Sequence, residues 1–151
     1  MTVTSHLYPK AIAGFLNGTL DADSDSFKAV LFTGDASAWG STQQAYQFLS
    51  DLISAYTECA DADYSRISLA GLSITESGNK VIWSCTSPIS FGSAVTISAR
   101  SMAIVDTTVG TTDATHPVVS VIDFGQAYSS SAGPWEYDVD GTNGLGYITS
   151  S

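Results

Sequence analysis

The side chains that most often perform acid–base chemistry are scarce in this sequence. It contains two histidines, His6 near the amino terminus and His116 immediately before Pro117. Neither belongs to a G-x-S-x-G or H-E-x-x-H pattern, and the sequence has no phosphate-binding glycine motif. We therefore interpret both histidines as ordinary surface residues, and we predict that the protein is not an enzyme and uses no cofactor.

Three alternating aspartates are the candidates for a metal site. Asp21, Asp23 and Asp25 resemble the start of a calcium-binding loop, because calcium prefers clustered carboxylate oxygens. A complete loop of that type needs glycine and glutamate where this sequence has Ser26 and Phe32. We interpret the segment as a solvated turn and predict that no metal binds.

Three tryptophans could present a flat surface to a ligand such as a sugar. Trp83 and Trp135 occupy inward positions of predicted strands, so we assign both to the core. Trp39 lies in a loop of Gly, Ser and Ala, residues 34–40, and could equally contact a partner protein or cap the core.

The amino-terminal arm, residues 1–8, is the other candidate contact surface. It has no charged side chain, ends in Leu7 and Tyr8, and precedes a predicted helix that would anchor it. A flexible arm of this kind becomes ordered when it binds, or is simply a frayed terminus. Leu7, Tyr8 and Trp39 are thus the predicted partner interface.

Charge and hydropathy exclude several classes of partner. The 151-residue chain has 15 acidic and five basic side chains, giving a formal net charge of −10. The basic residues are scattered, whereas binding to nucleic acid or to an anionic membrane requires clustered Lys and Arg. No apolar run approaches the roughly 20 residues of a membrane span, and residues 1–10 do not resemble a signal peptide. We expect neither nucleic acid nor membrane as a partner.

The cysteine content indicates a reducing compartment. Cys59 and Cys85 are two isolated cysteines, fewer than a disulfide scaffold uses and without the paired spacing of a zinc site. We predict two reduced, buried thiols in a protein made in a cytoplasm, and a single disulfide is the alternative.

Hydrophobic periodicity places helices early in the chain. Apolar residues at helical spacing predict a helix that begins near Pro9 and ends at Asn17-Gly18. A strand follows over residues 27–33. A second helix is predicted over residues 41–56, with Ser41 and Gln44 forming a capping box.

From Ser65 onwards the period changes to that of strands. A phase slip at Ala70-Gly71 predicts a bulge, Ser77-Gly78-Asn79 predicts a hairpin, and Val81, Trp83 and Cys85 alternate on the returning strand. Residues 102–105 and 118–122 are apolar on both faces and should be central strands, joined by a Thr-rich loop, residues 106–117. The sequence predicts one mainly β domain over residues 1–151, an antiparallel sandwich or barrel with one or two short helices in its first third.

Four stretches of the chain resemble a family of small structural proteins of tailed-bacteriophage particles. They are "NGTLDADSDSFKAVLFT" with the helix before it, "YQFLSDL", "ISARSMAIVDTTVGTTDATHPVVSVIDFG" and the closing "WEYDVDGTNGLGYIT". The resemblance covers nearly the whole chain, and the third stretch is the most specific. The longer predicted helix at residues 41–56 departs from the family.

The resemblance implies a role in the virion and carries no catalytic residues. We expect a capsid decoration or cement protein, assembled in the host cytoplasm, that docks on the major capsid protein or other virion proteins. We also expect a homo-oligomer, with a trimer favoured over a dimer. A tail or tail-tip component is the alternative within the same class, and a carbohydrate-binding module is the alternative from another class.

Overall fold

A computed structural model describes residues 3–36 and 39–150 of the chain. Within these ranges all neighbouring strands are antiparallel, in a five-stranded sheet of order β1-β7-β6-β2-β3 and a three-stranded sheet of order β4-β5-β8. The elements in chain order are β1 (Thr4–Leu7), α1 (Pro9–Asn17), β2 (Phe27–Phe32), α2 (Ser41–Gln44), α3 (Leu49–Ala55), β3 (Ile67–Ser68), β4 (Ser73–Ser77), β5 (Lys80–Ser84), β6 (Ile89–Asp106), β7 (Val118–Tyr137) and β8 (Gly146–Thr149). The predicted fold class, mainly β with antiparallel sheets and a few short helices, is confirmed.

Two long strands dominate the five-stranded sheet. β6 has 18 residues and β7 has 20, and they pair from Ile89 opposite Tyr137 to Val105 opposite Val118. The predicted central strands, residues 102–105 and 118–122, form the fully buried end of this pair. Four register shifts interrupt the remainder and a fifth lies between Ile104 and Val105, and each shift changes which face a side chain occupies. The sequence therefore predicts several shorter strands where the fold has two long ones.

Trp83 joins the two sheets. Its ring, on β5, contacts Phe27 of β2 edge-on at 4.9 Å and Phe15 of α1 at 6.1 Å between centroids. Its indole nitrogen donates a hydrogen bond to the carbonyl oxygen of Ala22 at 2.7 Å, so the polar group is satisfied on burial. Trp83 and Trp135 are each only 5% exposed, which confirms their assignment to the core.

The single helix predicted for residues 41–56 is wrong, because the chain forms two short helices there. Phe48, between them, is extended and bridges to Pro117. The carboxylate of Asp51 accepts the backbone N–H groups of Gln47 and Phe48, each at 2.9 Å, and so begins a new helix. The predicted capping pair also moves by one residue, since the N–H of Gly40 donates to Oε1 of Gln43.

The phase slip at Ala70-Gly71 marks a change of sheet rather than a bulge. β3 belongs to the five-stranded sheet and β4 to the three-stranded sheet, so the chain crosses between sheets at this point. Gly71 has a positive φ of 60°, and a side chain there would collide with Thr86. The predicted hairpin after Ser77 is confirmed, with Ser77 opposite Lys80.

In the described part of the chain, no helix combines the length and the apolar character that crossing a membrane would require.

Candidate functional site

The predicted arm is largely a strand. Residues 4–7 form β1, which pairs with β7 at the edge of the five-stranded sheet, with Leu7 opposite Ser120. Tyr8 is 0% exposed, so it cannot contact a partner while this packing holds. Leu7 and Trp39 are half-buried, and the start of the arm, residues 1 and 2, lies outside the described residues. The free arm predicted from sequence is therefore wrong for residues 4–8.

Trp39 covers the end of this strand. Its ring stacks on His6 with centroids 4.5 Å apart and planes 8° apart, and it meets the Tyr8 ring edge-on at 5.1 Å. Burial lowers the pKa of His6, an effect that the nearby Asp123 carboxylate partly offsets. Of the three residues predicted as an interface, Tyr8 and Trp39 pack together as a cap on the core, whereas Leu7 lies on the opposite face of β1, next to Gly146. Loop residues 37 and 38, beside Trp39, lie outside the described residues.

The aspartates of the acidic turn bind their own backbone. Oδ1 of Asp21 accepts the N–H groups of Asp23 and Ser24, each at 3.3 Å, and Oδ2 of Asp25 accepts the N–H of Asp21 at 2.7 Å. The hydrogen bonds to Asp21 lower its pKa. Within residues 3–36 and 39–150, no group of three His, Cys, Asp or Glu side chains is arranged to hold a metal ion.

The histidines and cysteines are more enclosed than surface residues. The His116 side chain is 15% exposed and its Nδ1 lies 3.9 Å from Asp113, so the prediction that it is an ordinary surface histidine is wrong. Cys59 and Cys85 are buried and unpaired, as predicted. Burial raises the pKa of the Cys59 thiol to about 12 and that of Cys85 to about 11, so neither is a thiolate at neutral pH.

An aromatic pocket of about 390 Å³ lies along the distal half of β7. Phe124 is its centre, with ring centroids 5.3 Å from Tyr137, 5.8 Å from Trp135 and 6.2 Å from Tyr128. Phe124 is 1% exposed, whereas Tyr128 is 45% exposed and faces solvent. The pocket is lined by Val3, Phe124, Tyr128, Ser129, Pro134, Trp135, Glu136, Tyr137 and Asp138.

A bulge in β7 shapes the aromatic pocket. Between the pairs Ala99–Tyr128 and Ser101–Asp123, residues 124–127 of β7 face Arg100 alone. Oδ1 of Asp123 holds this bulge, accepting the N–H of Gly125 at 2.9 Å and Nε of Arg100 at 3.3 Å. The bulge sets Phe124 inward and Tyr128 outward, which alternation alone would not allow.

A second feature is an uncovered apolar area on the three-stranded sheet. Ile74, Val81 and Ile148 lie on the same face as Trp83, because Ile74 is opposite Trp83 and Val81 is opposite Ile148. Trp83 is covered by the core, but these three residues, here called the uncovered sheet face, are 51%, 42% and 45% exposed. The predicted inward position of Val81 is correct in phase, yet the core does not extend far enough to bury it.

Sequence reasoning missed both features. Tyr128 is an aromatic residue in the polar segment "QAYSSSAG", which is a signal that could have been used. The uncovered sheet face had no such signal, since an alternating apolar strand looks the same whether or not another layer covers it.

Searches for similar proteins returned no match for this chain among family models, curated proteins or solved structures.

Proposed function

We propose that this chain is a non-catalytic structural protein of a bacteriophage particle, a decoration or cement protein that docks on the lattice of the major capsid protein. The resemblance of four sequence stretches to virion proteins suggests the class. The observation that carries the proposal is the uncovered sheet face, a group of exposed β-branched residues on an acidic chain, which lies beside the exposed Glu76.

The uncovered sheet face has the properties of a contact surface. Three β-branched residues project from three adjacent strands, and each still exposes about half of its surface to water. Burial of apolar surface contributes roughly 25 cal/mol per Å², so covering this face would favour association. β4 is also an open edge, with all five of its residues exposed, and could extend the contact through backbone hydrogen bonds.

The state of the reactive side chains supports a non-catalytic role. Both thiols have raised pKa values, His6 stacks on Trp39, and the His116 side chain is only 15% exposed. An acidic surface suits a decoration protein, because like charge keeps decorated particles apart. A tail or tail-tip position is the alternative within the virion.

Co-sedimentation with capsids tests the proposal. The parent chain, Val81→Lys and Val109→Lys would each be mixed with undecorated particles of the encoding phage, and the bound fraction measured. Lys at position 81 faces Glu76 across the strand pair, so the fold should tolerate it. Val109 is 37% exposed on the Thr-rich loop and provides a matched control.

We expect Val81→Lys to weaken capsid binding by about tenfold or more, because it places a charge in an apolar contact. Val109→Lys should bind like the parent. Failure of the parent to bind capsids would contradict decoration, and binding to purified tails instead would favour the tail alternative. Equal binding by all three proteins would show that docking uses another surface.

A further inference from the structure

We propose that the aromatic pocket binds a neutral sugar ring, such as a hexopyranose unit of a glycan. The pocket and the uncovered sheet face share no residue, so this activity does not depend on the docking proposal. The inference rests on the aromatic wall, the polar rim and the charge of the pocket.

The wall supplies an apolar surface of suitable shape. Phe124 packs against Trp135, Tyr137 and Tyr128, and because Phe124 and Trp135 are nearly fully buried, the Tyr128 ring, 45% exposed, presents most of the aromatic surface to a ligand. A pyranose has one face of C–H groups, which loses unfavourable hydration when it lies on such a ring. The volume of about 390 Å³ lies within the usual range for small-molecule sites.

The rim supplies hydrogen-bonding groups for hydroxyls. Glu136 and Asp138 are exposed at the edge of the pocket, and each carboxylate can accept two or more hydrogen bonds from sugar hydroxyls. The Ser129 hydroxyl lies on the same rim, 2.8 Å from that of Ser98. An apolar wall with a few polar groups at its edge is the usual composition of a ligand site.

The negative charge of the pocket favours neutral sugars over acidic ones. Two carboxylates line the pocket and the chain carries a net charge of −10, so acidic sugars and phosphorylated ligands would be repelled. An alkylammonium ion is the other ligand that aromatic rings attract, but its sites surround the cation with several ring faces. Here Phe124 and Trp135 are nearly fully buried and Tyr128 is the well-exposed ring, so the pocket offers one ring face on which a pyranose can stack rather than a cage.

The pocket is held in place before any ligand arrives. The indole nitrogen of Trp135 donates to the Tyr128 carbonyl at 3.3 Å, and this hydrogen bond fixes the segment of β7 that follows the bulge. Ala132, close to Pro134 of the rim, has a φ of 50°, a conformation that costs an alanine energy. Backbone strain of this kind is concentrated at functional sites.

Titration of the full chain with defined probes tests the proposal. Methyl glycosides of glucose, galactose, mannose and N-acetylglucosamine would be added separately, with tetramethylammonium as a cationic probe, and binding followed by NMR chemical shifts. The variants are Tyr128→Ala and Glu136→Gln. Tyr147→Ala is the control, because Tyr147 is a similarly exposed tyrosine on β8, outside the pocket.

We expect at least one glycoside to shift the resonances of Tyr128 and Glu136. Tyr128→Ala should weaken that binding by about tenfold or more, and Glu136→Gln by a smaller factor. Tyr147→Ala should bind like the parent. The proposal is overturned if no glycoside binds, if Tyr128→Ala binds as the parent does, or if only tetramethylammonium shifts these resonances.

Discussion

Asp106 is a fully buried carboxyl group at the end of β6. Its Oδ1 accepts the N–H of Thr108 at 2.7 Å and that of Val109 at 3.4 Å, which orders the start of the Thr-rich loop. Burial raises its pKa from 3.8 to about 6, and the neighbouring Asp25 carboxylate contributes to the shift. The ionised form is therefore less stable in the fold than in the unfolded chain.

This raised pKa predicts a specific pH dependence of stability. Between pH 3.8 and about 6, the folded chain keeps a proton that the unfolded chain has lost. Stability contributed by Asp106 is thus lost as the pH rises through this window. Asp106→Asn should remove this pH dependence. The difference in the free energy of unfolding between Asp106→Asn and the parent should favour the variant more at pH 7 than at pH 4, by up to about 3 kcal/mol.

Urea unfolding at a series of pH values would measure this difference. Asp61→Asn is the control, since Asp61 is exposed and its substitution removes one surface acid without touching the Thr-rich loop. If the advantage of Asp106→Asn is the same at every pH, Asp106 is not protonated in the folded chain near pH 5.

At the level of elements, Arg66 connects the segment before β3 to a loop that is distant in sequence. Its guanidinium binds Glu58, with Nε–Oε1 and Nη2–Oε2 distances of 2.8 and 2.7 Å. It also binds Asp113 of the Thr-rich loop at 2.6 and 3.0 Å. These hydrogen bonds to Glu58 and Asp113 raise the pKa of Arg66, and Arg66 lowers that of Asp113. The loop is therefore tied to the segment that precedes β3.

Substitution of this arginine by lysine should loosen the loop. Lysine keeps the charge but cannot make two forked contacts. Arg66→Lys should therefore lower the free energy of unfolding by about 1–2 kcal/mol, a modest loss because the ion pairs are partly exposed to solvent. Arg100→Lys should cost less, because Arg100 reaches Asp123 and Asp35 only at 3.3 and 3.7 Å. Denaturant unfolding gives both values, and an equal loss would argue against a special role for the Arg66 fork.

Hydrogen exchange distinguishes a local from a global effect of Arg66→Lys. The N–H of Ser50 donates to the Asp113 carbonyl at 2.9 Å, and the N–H of Leu49 donates to that of His116 at 3.0 Å. We expect these two amides to lose more protection than those of the buried ends of β6 and β7. Uniform loss across the sheet would mean that Arg66 supports the whole fold rather than the loop.

At the scale of the whole molecule, the proposed role requires repeated copies. Virion components usually assemble symmetrically, and we expect the purified chain to be a homo-trimer, with a dimer as the next expectation. Light scattering on the parent and on Val81→Lys would measure the mass. The trimer should persist in Val81→Lys, because we assign the uncovered sheet face to the capsid.

A monomeric mass for Val81→Lys or for the parent would contradict these expectations. Dissociation of Val81→Lys into monomers would place the uncovered sheet face between copies of the chain rather than against the capsid. A monomeric parent that also fails to bind capsids would count against a virion role as a whole.

The elements with local evidence could be predicted from the amino-acid sequence alone. The helix from Pro9, the strand from Phe27, the hairpin after Ser77 and the buried strands at residues 102–105 and 118–122 follow from periodicity and turn residues. Trp83 and Trp135 were assigned correctly because an apolar residue at an inward strand position is normally buried. The residues of the aromatic pocket and of the uncovered sheet face were not predicted as binding residues, since pockets and contact faces combine segments that the sequence does not relate.

The remaining features could not be predicted from the sequence, because they depend on contacts between distant segments. The bridge from Phe48 to Pro117 divides a helix that periodicity predicts as one, and pairing with β7 converts the arm into β1. The bulge held by Asp123 turns Phe124 and Tyr128 to form a pocket. The extent of the core decides that Trp83 is covered while Val81, two residues away on the same face, is not. Alternation specifies a face, and only the packed layers specify whether anything lies against it.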